Sequence, residues 1–335
     1  MTPERSNPLN DRTSAEPEYR VEPADEAPHI PGPERLWNES WYFDWVDQSN
    51  GLGLYLRVGL YPNLGQSWIH LGCTGEGGPL LLLADQQGPF APNQGPQATA
   101  KDWSVHAYPE AELERWSVRF NGTVQRFTDP EAAYRRDNPT TTNLAFECVW
   151  STRGEPYQYG SSTRYEISCT VAGWLAIDGV RTEISGTGQR DHSWGVRDWW
   201  SFDWFWSAAT MQDGICFQAT EIRLADFKAP FGYIQDANHQ LTPCTQLTMT
   251  EILGEDGRPT QADLSINNGS VHLRVEPLVL TPVRFLAEDR AEATMHRALC
   301  RYWTPSGEIG HGWSEWNLGS EPKPGPGENT GGSSS

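Results

Sequence analysis

Turn-forming dipeptides recur along the chain and divide it into short segments. Six of them lie between stretches that suit β-strands: Asn121-Gly122, Asp178-Gly179, Asp213-Gly214, Asp256-Gly257, Asn268-Gly269 and Ser306-Gly307. Asn, Asp and Gly tolerate the positive φ that the tight turns of hairpins require. Because hairpins join antiparallel strands, this punctuation predicts a chain built mainly from consecutive β-hairpins.

The segments between the turns alternate between apolar and polar side chains. Three of them place four apolar residues two apart: Leu54, Leu56, Val58 and Leu60; Leu144, Phe146, Cys148 and Trp150; Tyr165, Ile167, Cys169 and Val171. A period of two predicts strands with one buried face. Helical patterns are limited to Pro109–Trp116 and Asp129–Asp137, where proline and acidic residues favour a helix start, so two short helices are also predicted.

The pattern as a whole predicts an all-β protein. A chain of 335 residues has room for two consecutive antiparallel β-barrel or sandwich domains with space for a ligand inside. We place the domains at residues 31–189 and 190–317. Residues 1–30 and 318–335 are rich in Pro, Gly, Ser and charged side chains, and this composition predicts disordered tails.

Charge and hydropathy exclude several classes of partner. The net charge of −19 opposes binding to nucleic acid and to anionic membrane surfaces, because both need a basic patch. No apolar run approaches the roughly 20 residues that span a bilayer, and the N-terminus lacks the basic-then-apolar pattern of a signal peptide. A cytoplasmic location is therefore expected, and the oligomeric state stays open. The six cysteines are widely spaced and are expected to be free thiols.

One segment concentrates the groups that chemistry needs. Residues 188–206 read GQRDHSWGVRDWWSFDWFW and hold five tryptophans among charged side chains: Trp194, Trp199, Trp200, Trp204 and Trp206, with Arg190, Asp191, His192, Arg197, Asp198 and Asp203. Aromatic faces bind apolar molecules and stabilise cations, and titratable groups supply acid and base. The segment predicts a substrate site, with a tryptophan-rich core and surface ion pairs as the structural alternative.

The pattern leaves open which residue of this segment moves protons. In an extended chain Arg190, His192 and Trp194 share one face, and Asp191 and Ser193 lie on the other. Histidine exchanges protons near neutral pH, which favours His192. The alternative is that Asp191 carries the proton and His192 is a structural hydrogen-bond donor.

Two further aromatic clusters are candidates for the same site. Glu39–Asp47 reads ESWYFDWVD, with Trp41, Phe43 and Trp45 on one face and Tyr42 and Asp44 on the other. Gly307–Trp316 reads GEIGHGWSEW and contributes Glu315. The structural alternative is that each is a terminal strand that closes a barrel with aromatic packing.

Several reaction types lack their motifs. There is no H-E-x-x-H sequence and no close cysteine pair, so no metal site is predicted. There is no G-x-S-x-G sequence, and Gly186-Thr187-Gly188 lacks the third glycine of a dinucleotide site. We therefore predict chemistry that uses no cofactor.

Residues 186–197 read GTGQRDHSWGVR, a G-x-G-x-R-D-H-S-W-G-x-R motif. With this motif the chain resembles the hydroxyneurosporene synthase-like superfamily, which includes the carotenoid 1,2-hydratases. Gly310, Gly312 and Glu315 form a later element that is similar to the same group. The resemblance implies two consecutive lipocalin-like β domains with an apolar pocket between or within them.

The resemblance also implies roles for individual residues. In the hydratases of this group a His-x-Trp pair acts with a Tyr-x-Asp pair one hairpin later. Here His192 and Trp194 match the first pair, Glu221 takes the place of the acid, and Ala219 stands at the position of the tyrosine. The implied mechanism is protonation of an alkene by a buried carboxylic acid, with tryptophan faces stabilising the carbocation. Glu221 and Asp191 compete for the acid role.

The resulting prediction is a hydratase, or a related isomerase or cyclase, that acts on an isoprenoid-, terpenoid- or steroid-like molecule. The predicted substrate-binding residues are Trp41, Trp194, Trp199, Trp200, Trp204 and Trp206. Arg190 and Arg197 are expected to pair with Asp191 and Asp198, and Glu315 is expected to orient the site. The alternative function is a non-catalytic, lipocalin-like carrier of a hydrophobic ligand.

Overall fold

Two antiparallel sheets make up most of the described chain. The computed structural model describes residues 20–318, apart from residues 93, 161, 197–198, 201, 225–226 and 288–289. The predicted fold class, all-β with two consecutive antiparallel sheets, is confirmed. Most of each predicted disordered tail, residues 1–19 and 319–335, lies outside the described residues.

The first sheet closes on itself. Its strands are β1 (Trp37–Asp47), β2 (Leu52–Tyr61), β3 (Gln66–Gly75), β4 (Leu80–Pro89), β5 (Gln97–Thr99), β6 (Trp103–Ala111), β7 (Arg115–Phe127), β8 (Thr140–Thr152), β9 (Tyr157–Gln158), β10 (Arg164–Ile177) and β11 (Val180–Val196). They lie in the order β4-β3-β2-β1-β11-β10-β8-β7-β6-β5, with β9 beside β10. The strand β4 also pairs with β7. The strands β4, β3, β2, β1, β11, β10, β8 and β7 therefore form a closed barrel.

The second sheet has nine strands. They are β12 (Asp203–Met211), β13 (Cys216–Leu224), β14 (Phe227–Gln235), β15 (Leu241–Pro243), β16 (Leu247–Leu253), β17 (Pro259–Ile266), β18 (Val271–Ala287), β19 (Arg290–Trp303) and β20 (Ile309–Asn317). Their order is β15-β14-β13-β12-β20-β19-β18-β17-β16. The first sheet ends at Val196 and the second begins at Asp203, whereas the division into domains at residues 189/190 stays a prediction.

Helix is confined to single turns in the described chain. Two 3-10 turns lie at Pro23–Glu26 and Pro62–Leu64, and the helix α1 spans Ala132–Arg135, within one of the two predicted helical segments. The prediction of a helix at Pro109–Trp116 is wrong, because this segment ends β6 and begins β7 and buries Trp116 in the barrel. None of the helices that the structure describes is long and apolar enough to cross a membrane.

Most of the predicted turns are found. Asp178, Gly179, Gly214, Gly257 and Gly269 adopt positive φ at the tips of hairpins. Asn121-Gly122 is the exception, because it lies inside β7. A Cβ on Gly122 would lie 2.6 Å from the Cβ of Trp103 on β6, so this glycine permits a close approach between strands instead of a turn.

The predicted period of two is confirmed in both the barrel and its outer surface. The three alternating sets of apolar residues point into the barrel interior, together with Trp41, Phe43 and Trp45. The intervening residues of β1 to β3 pack outward against β12, β18, β19 and β20 in a second aromatic cluster that contains Tyr42, Tyr55, Trp68, Trp204, Trp206 and Trp313. The strand β1 is therefore buried along its whole length.

The six cysteines are buried free thiols, as predicted. Burial raises the pKa of Cys73, Cys169 and Cys300 to about 12. Thiols with such a pKa stay protonated and act as small apolar side chains.

The segment 20–30 is folded, although its composition predicted disorder. Glu26 lies in the barrel, where it forms an ion pair with Arg190 at 2.6 Å and accepts hydrogen bonds from Tyr165 and Trp116. Burial alone would raise the pKa of Glu26, but the charge of Arg190 and these donors lower it below its ordinary value. The Glu26–Arg190 ion pair helps to fix this segment, together with His29, which hydrogen-bonds to Glu39 and stacks on Trp194.

Replacement of Glu26 by alanine is expected to destabilise the protein strongly. The change leaves the buried guanidinium of Arg190 without its carboxylate, and loss of one partner of a buried ion pair costs about 3–5 kcal/mol. Urea unfolding followed by tryptophan fluorescence measures the effect. Ile30→Ala, at a position of the same segment that is 93% exposed, serves as the control and should change stability by less than about 0.5 kcal/mol. Equal effects of the two substitutions would contradict the structural role of Glu26.

Candidate functional site

A cavity of about 310 Å³ lies between the two sheets. This volume is at the small end of the range for ligand pockets. Both sheets and the segment between them supply its aromatic wall, which consists of Tyr42, Tyr55, Tyr159, Trp199, Phe202, Trp204, Trp206, Phe231 and Phe285. The cavity also contains charged side chains, which are few in an ordinary apolar core.

Most of these polar groups form a row that crosses the first sheet. His70 on β3 is paired with Arg57 on β2, Arg57 with Tyr42 on β1, Tyr42 with Asp191 on β11, and Asp191 with Glu166 on β10. Residues paired in this way point to the same face of a sheet, with Cβ atoms about 5 Å apart. We call these five residues the polar row. Four of them line the cavity, whereas Glu166 is fully buried and is not part of the lining.

At one end of the row, a shared guanidinium joins two carboxyl groups. Arg164 Nη2 lies 2.5 Å from Asp191 Oδ2 and 2.6 Å from Glu166 Oε1. Glu166 also accepts hydrogen bonds from the Tyr159 hydroxyl at 2.7 Å and the Trp206 indole N–H at 3.1 Å. Burial raises the pKa of Glu166, and the charge of Arg164 only partly offsets this effect.

At the centre of the row, Tyr42 connects the cavity to a buried acid. Its hydroxyl donates to Asp44 Oδ2 at 2.8 Å, and the backbone N–H of Gln189 donates to Asp44 Oδ1 at 2.7 Å. Burial raises the pKa of Asp44 to about 7, although both hydrogen bonds lower it. A carboxyl group that changes charge near neutral pH is therefore one hydrogen bond away from the cavity.

The other end of the row is cationic. Arg57 lies over the ring of Trp199 at 4.9 Å. Arg297, from the second sheet, pairs with Glu315 and lies over the rings of Tyr42 and Tyr55 at 4.6 and 4.4 Å. Burial, with the charges of Arg57 and Arg297, lowers the pKa of His70 to about 3, so this imidazole is neutral at physiological pH.

Five of the residues predicted from the sequence line the cavity: Asp191, Trp199, Trp204, Trp206 and Glu315. Glu315 accepts a hydrogen bond from the Trp204 indole at 3.3 Å as well as the ion pair from Arg297. Trp200 is buried nearby, edge-on to Phe285, but is not part of the lining. Arg197 and Asp198 lie outside the described residues.

His192, Trp194 and Trp41 lie on the barrel side of their strands and not in the cavity. The ring of His192 stacks on Trp41 at 4.4 Å, and its Nε2 lies 2.9 Å from Glu39 Oε1. Trp194 stacks on the ring of His29 at 3.7 Å. Because side chains alternate along β11, Asp191 and His192 face opposite ways, and the structure places only Asp191 against a ligand space.

Two further expectations need correction. Glu221 does not face the cavity, although its neighbours Thr220 and Ile222 do; it pairs instead with Arg223 at 2.8 Å and Lys228 at 3.0 Å. The alternation of β13 again explains this orientation.

The expected pairing of Arg190 with Asp191 is also wrong. Arg190 points into the barrel and binds Glu26, and the partner of Asp191 is Arg164 on the neighbouring strand β10. Adjacent residues on a strand cannot meet on one face, whereas cross-strand neighbours can.

One group of side chains has the spacing of metal ligands. The ligand atoms of His29, Glu39 and His192 lie within 4.8 Å of one another. Glu39 Oε1 lies 2.7 Å from His29 Nδ1 and 2.9 Å from His192 Nε2. Burial would raise the pKa of Glu39, but these hydrogen bonds lower it. The three groups satisfy one another by hydrogen bonding, and the absence of a metal site stays a prediction.

Two consecutive antiparallel sheets with an enclosed space between them define a two-domain, lipocalin-like architecture. Solved structures confirm the fold that the resemblance implied. An AttH protein from Nitrosomonas europaea has a TM-score of 0.61 and 17% identity, and the match covers 90% of this chain and 97% of that one. No curated protein sequence matches the chain.

The chain belongs to the family described as Domain of unknown function (DUF7064), whose model matches residues 22–319. Kievitone hydratase from Nectria haematococca shares the fold, with a TM-score of 0.55, 14% identity and coverage of 91% of this chain and 94% of that one. CghA is similar at a TM-score of 0.54 and 10% identity, with coverage of 91% and 97%.

Asp44→Asn is expected to change how stability depends on pH. The pKa of Asp44 is about 7 in the folded protein, against an ordinary value of 3.8, so between these values the folded state binds more protons than the unfolded state. Ionisation of Asp44 therefore destabilises the wild type as pH rises through this range, by up to roughly 4 kcal/mol. Asparagine does not titrate, and D44N should gain stability relative to the wild type over the same range.

Urea unfolding at a series of pH values from about 4 to 8 measures this difference. His70, whose folded pKa is about 3, contributes with the opposite sign, because stability increases as the unfolded histidine loses its proton. This contribution is common to both proteins and cancels in the difference. A difference that does not vary with pH would show that Asp44 keeps one charge state throughout.

Proposed function

We propose that this protein is an enzyme of the hydratase, isomerase or cyclase type that moves protons on a substrate held between the two sheets. The observation that carries the proposal is the polar row, which places a titratable Tyr42–Asp44 pair next to the carboxylate of Asp191 in an aromatic cavity. The shared fold with kievitone hydratase supports it by analogy only, because one fold hosts many functions. The reaction proposed here needs no cofactor.

In this proposal Tyr42 and Asp44 act together as the proton donor. A protonated Asp44 carboxyl can donate its proton to the phenolic oxygen of Tyr42, which lies 2.8 Å away. The hydroxyl hydrogen of Tyr42 then points toward the cavity and transfers to an electron-rich carbon of the substrate. An acid whose pKa lies near the working pH is well matched to this task.

Asp191 acts as the base. The charge-assisted hydrogen bond from Arg164 at 2.5 Å holds the carboxylate in place. In a hydration Asp191 removes a proton from the water that attacks the carbocation. In an isomerisation or a cyclisation it removes a proton from a neighbouring carbon, so the proton given by Tyr42 is balanced in each case.

The aromatic wall suits a carbocation and an apolar body. Trp199, Trp204 and Trp206 line the cavity, and a cation over an indole face is stabilised by about 2 kcal/mol when water is excluded. The substrate class proposed is a small isoprenoid-, terpenoid- or steroid-like molecule. His192 and Glu221, which lie away from the cavity, have structural roles in this scheme.

A carrier is the second candidate. The observation that favours it is the position of His192 and Glu221, because two of the three residues predicted to be catalytic do not face the ligand space. A carrier would use the same aromatic wall to hold a ligand without transferring protons.

Deuterium exchange separates the two functions, because a carrier does not exchange protons with its ligand. Terpenoid and steroid alkenes that quench the tryptophan fluorescence of the protein are incubated with it in D₂O, and mass spectrometry measures deuterium in the recovered ligand. We expect Asp191→Asn and Tyr42→Phe to lower the exchange rate by about 100-fold or more, with ligand affinity within a few-fold of the wild type.

Glu221→Gln is the matched control, since this carboxylate is buried but turned away from the cavity. It should leave the exchange rate within about threefold of the wild type, in line with its distance from the ligand. Tight binding without exchange for every ligand would establish a carrier. A large loss of exchange in E221Q with none in D191N would instead support the acid predicted from the sequence.

A further inference from the structure

The cavity contains buried hydrogen-bond donors that have no acceptor within the described part of the chain. They are Arg57 Nη1, Arg297 Nε and Nη1, and His70 Nδ1, on side chains of residues that are only 8%, 4% and 3% exposed. All three residues line the cavity. Buried polar groups in native proteins are nearly always satisfied, so a cluster of unsatisfied donors needs an explanation.

The charge of Arg57 also has no partner among the residues that the structure describes. Its guanidinium donates to Asn38 Oδ1 at 3.2 Å and lies over the ring of Trp199. Across the part of the chain that the structure describes, no carboxylate lies within ion-pair distance of it. A buried cation is normally paired, and Arg57 is therefore set up for an anion that comes from outside the protein.

Only part of the Arg297 guanidinium is hydrogen-bonded. Its Nη2 donates a hydrogen bond to Glu315, and the rings of Tyr42 and Tyr55 pack on its faces. Its Nε and Nη1 have no acceptor among the described residues. These two donors lie on different sides of the guanidinium, so each offers a single hydrogen bond to an oxygen.

His70 supplies a neutral donor to the same place. The side chain of Gln86 is fixed, because its Oε1 accepts from the Leu286 N–H at 3.0 Å and its Nε2 donates to the Arg284 carbonyl at 2.7 Å. The Nε2 of Gln86 lies 3.2 Å from His70 Nε2 and can only donate, so the imidazole proton sits on Nδ1. This Nδ1–H is the donor that lacks an acceptor.

We propose that the cavity binds a ligand with a carboxylate group, which lies among Arg57, Arg297 and His70, while its apolar body extends along the tryptophans. The inference rests on the proposed function and narrows its substrate to an apolar monocarboxylic acid. In the polar row Tyr42 stands between Arg57 and Asp191. A carboxylate held at the Arg57 end therefore brings the adjoining carbons next to the Tyr42 hydroxyl and the Asp191 carboxylate.

Matched pairs of probes test the charge directly. Benzoate, cinnamate and 2-naphthoate are each compared with their own uncharged amide by isothermal titration calorimetry at pH 7.5 and constant ionic strength. We expect the wild-type protein to bind at least one acid about tenfold to a hundredfold more tightly than its amide, the range that a charge-assisted hydrogen bond supplies. If no acid is preferred to its amide, including the case in which nothing binds, the inference is overturned.

Arg57→Met removes the unpaired charge while keeping the length of the side chain. It should abolish the preference for the acid and leave amide binding within about twofold. Arg181→Met, at an exposed ion pair with Glu183 far along β11, is the control and should keep the full preference. Arg57→Lys keeps the charge without the planar fork and should retain part of the preference, which preserves a readout if R57M does not fold.

Thermal unfolding without ligand gives an independent measure. Because R57M removes a buried charge that has no partner, its melting temperature should equal or exceed that of the wild type. A marked fall in R57M, with no fall in R181M, would mean that the protein itself satisfies this charge, and would count against the inference.

The two proposals can fail separately. If the protein prefers the acids but catalyses no deuterium exchange, the carboxylate site is supported and the enzymatic function is contradicted. If it catalyses exchange on neutral alkenes but does not prefer acids, the enzymatic function is supported and the carboxylate site is contradicted.

Discussion

The strands β1 and β11 separate two interiors, and this position constrains everything around them. One face of each strand packs in the barrel and the other faces the second sheet. Since side chains alternate strictly along a strand, each residue is committed either to the barrel core or to the cavity wall. His192 and Asp191 are consecutive in the chain but lie in different environments. His192 contacts Glu39 in the barrel, and Asp191 forms an ion pair with Arg164 at the cavity.

The same constraint shapes the electrostatics of the site. Charged groups on the cavity face are largely buried, so their neighbours across the sheet determine their electrostatic environment. Asp191 lies beside Arg164, and Arg297 lies beside Glu315, whereas Asp44 has only neutral donors and a pKa of about 7. The polar row thus runs from the cationic group of Arg57, next to the neutral imidazole of His70, to the carboxyl groups of Asp191 and Glu166, which share Arg164.

The fold class, most turns and the buried faces of β1, β2, β8 and β10 could be predicted from the sequence, because these depend on local pattern. The faces of Trp41 and Tyr42, or of Asp191 and His192, follow from a period of two alone. The pairing of β11 with β1 does not, since Tyr42, the neighbour of Asp191 on β1, lies far away in the chain, whereas β10 precedes β11 in the same hairpin. The sequence indicated only that Tyr42 and Asp44 share one face of their strand. The burial of Asp44, which raises its pKa, depends on strands that are distant in the chain and could not be predicted from the local pattern.

The ion pair between Glu26 and Arg190 joins residues 164 positions apart, and β1 bonds to β11 over a similar span. During synthesis, strands β1 to β4 therefore emerge long before the strand that completes their sheet. About 90 residues separate the end of β4 from the start of β11. Until they are synthesised, the exposed edge of β1 can mispair with other nascent chains. Assembly of this barrel is thus governed by the late arrival of its central strand, and slow folding is the natural cost of a topology rich in distant contacts.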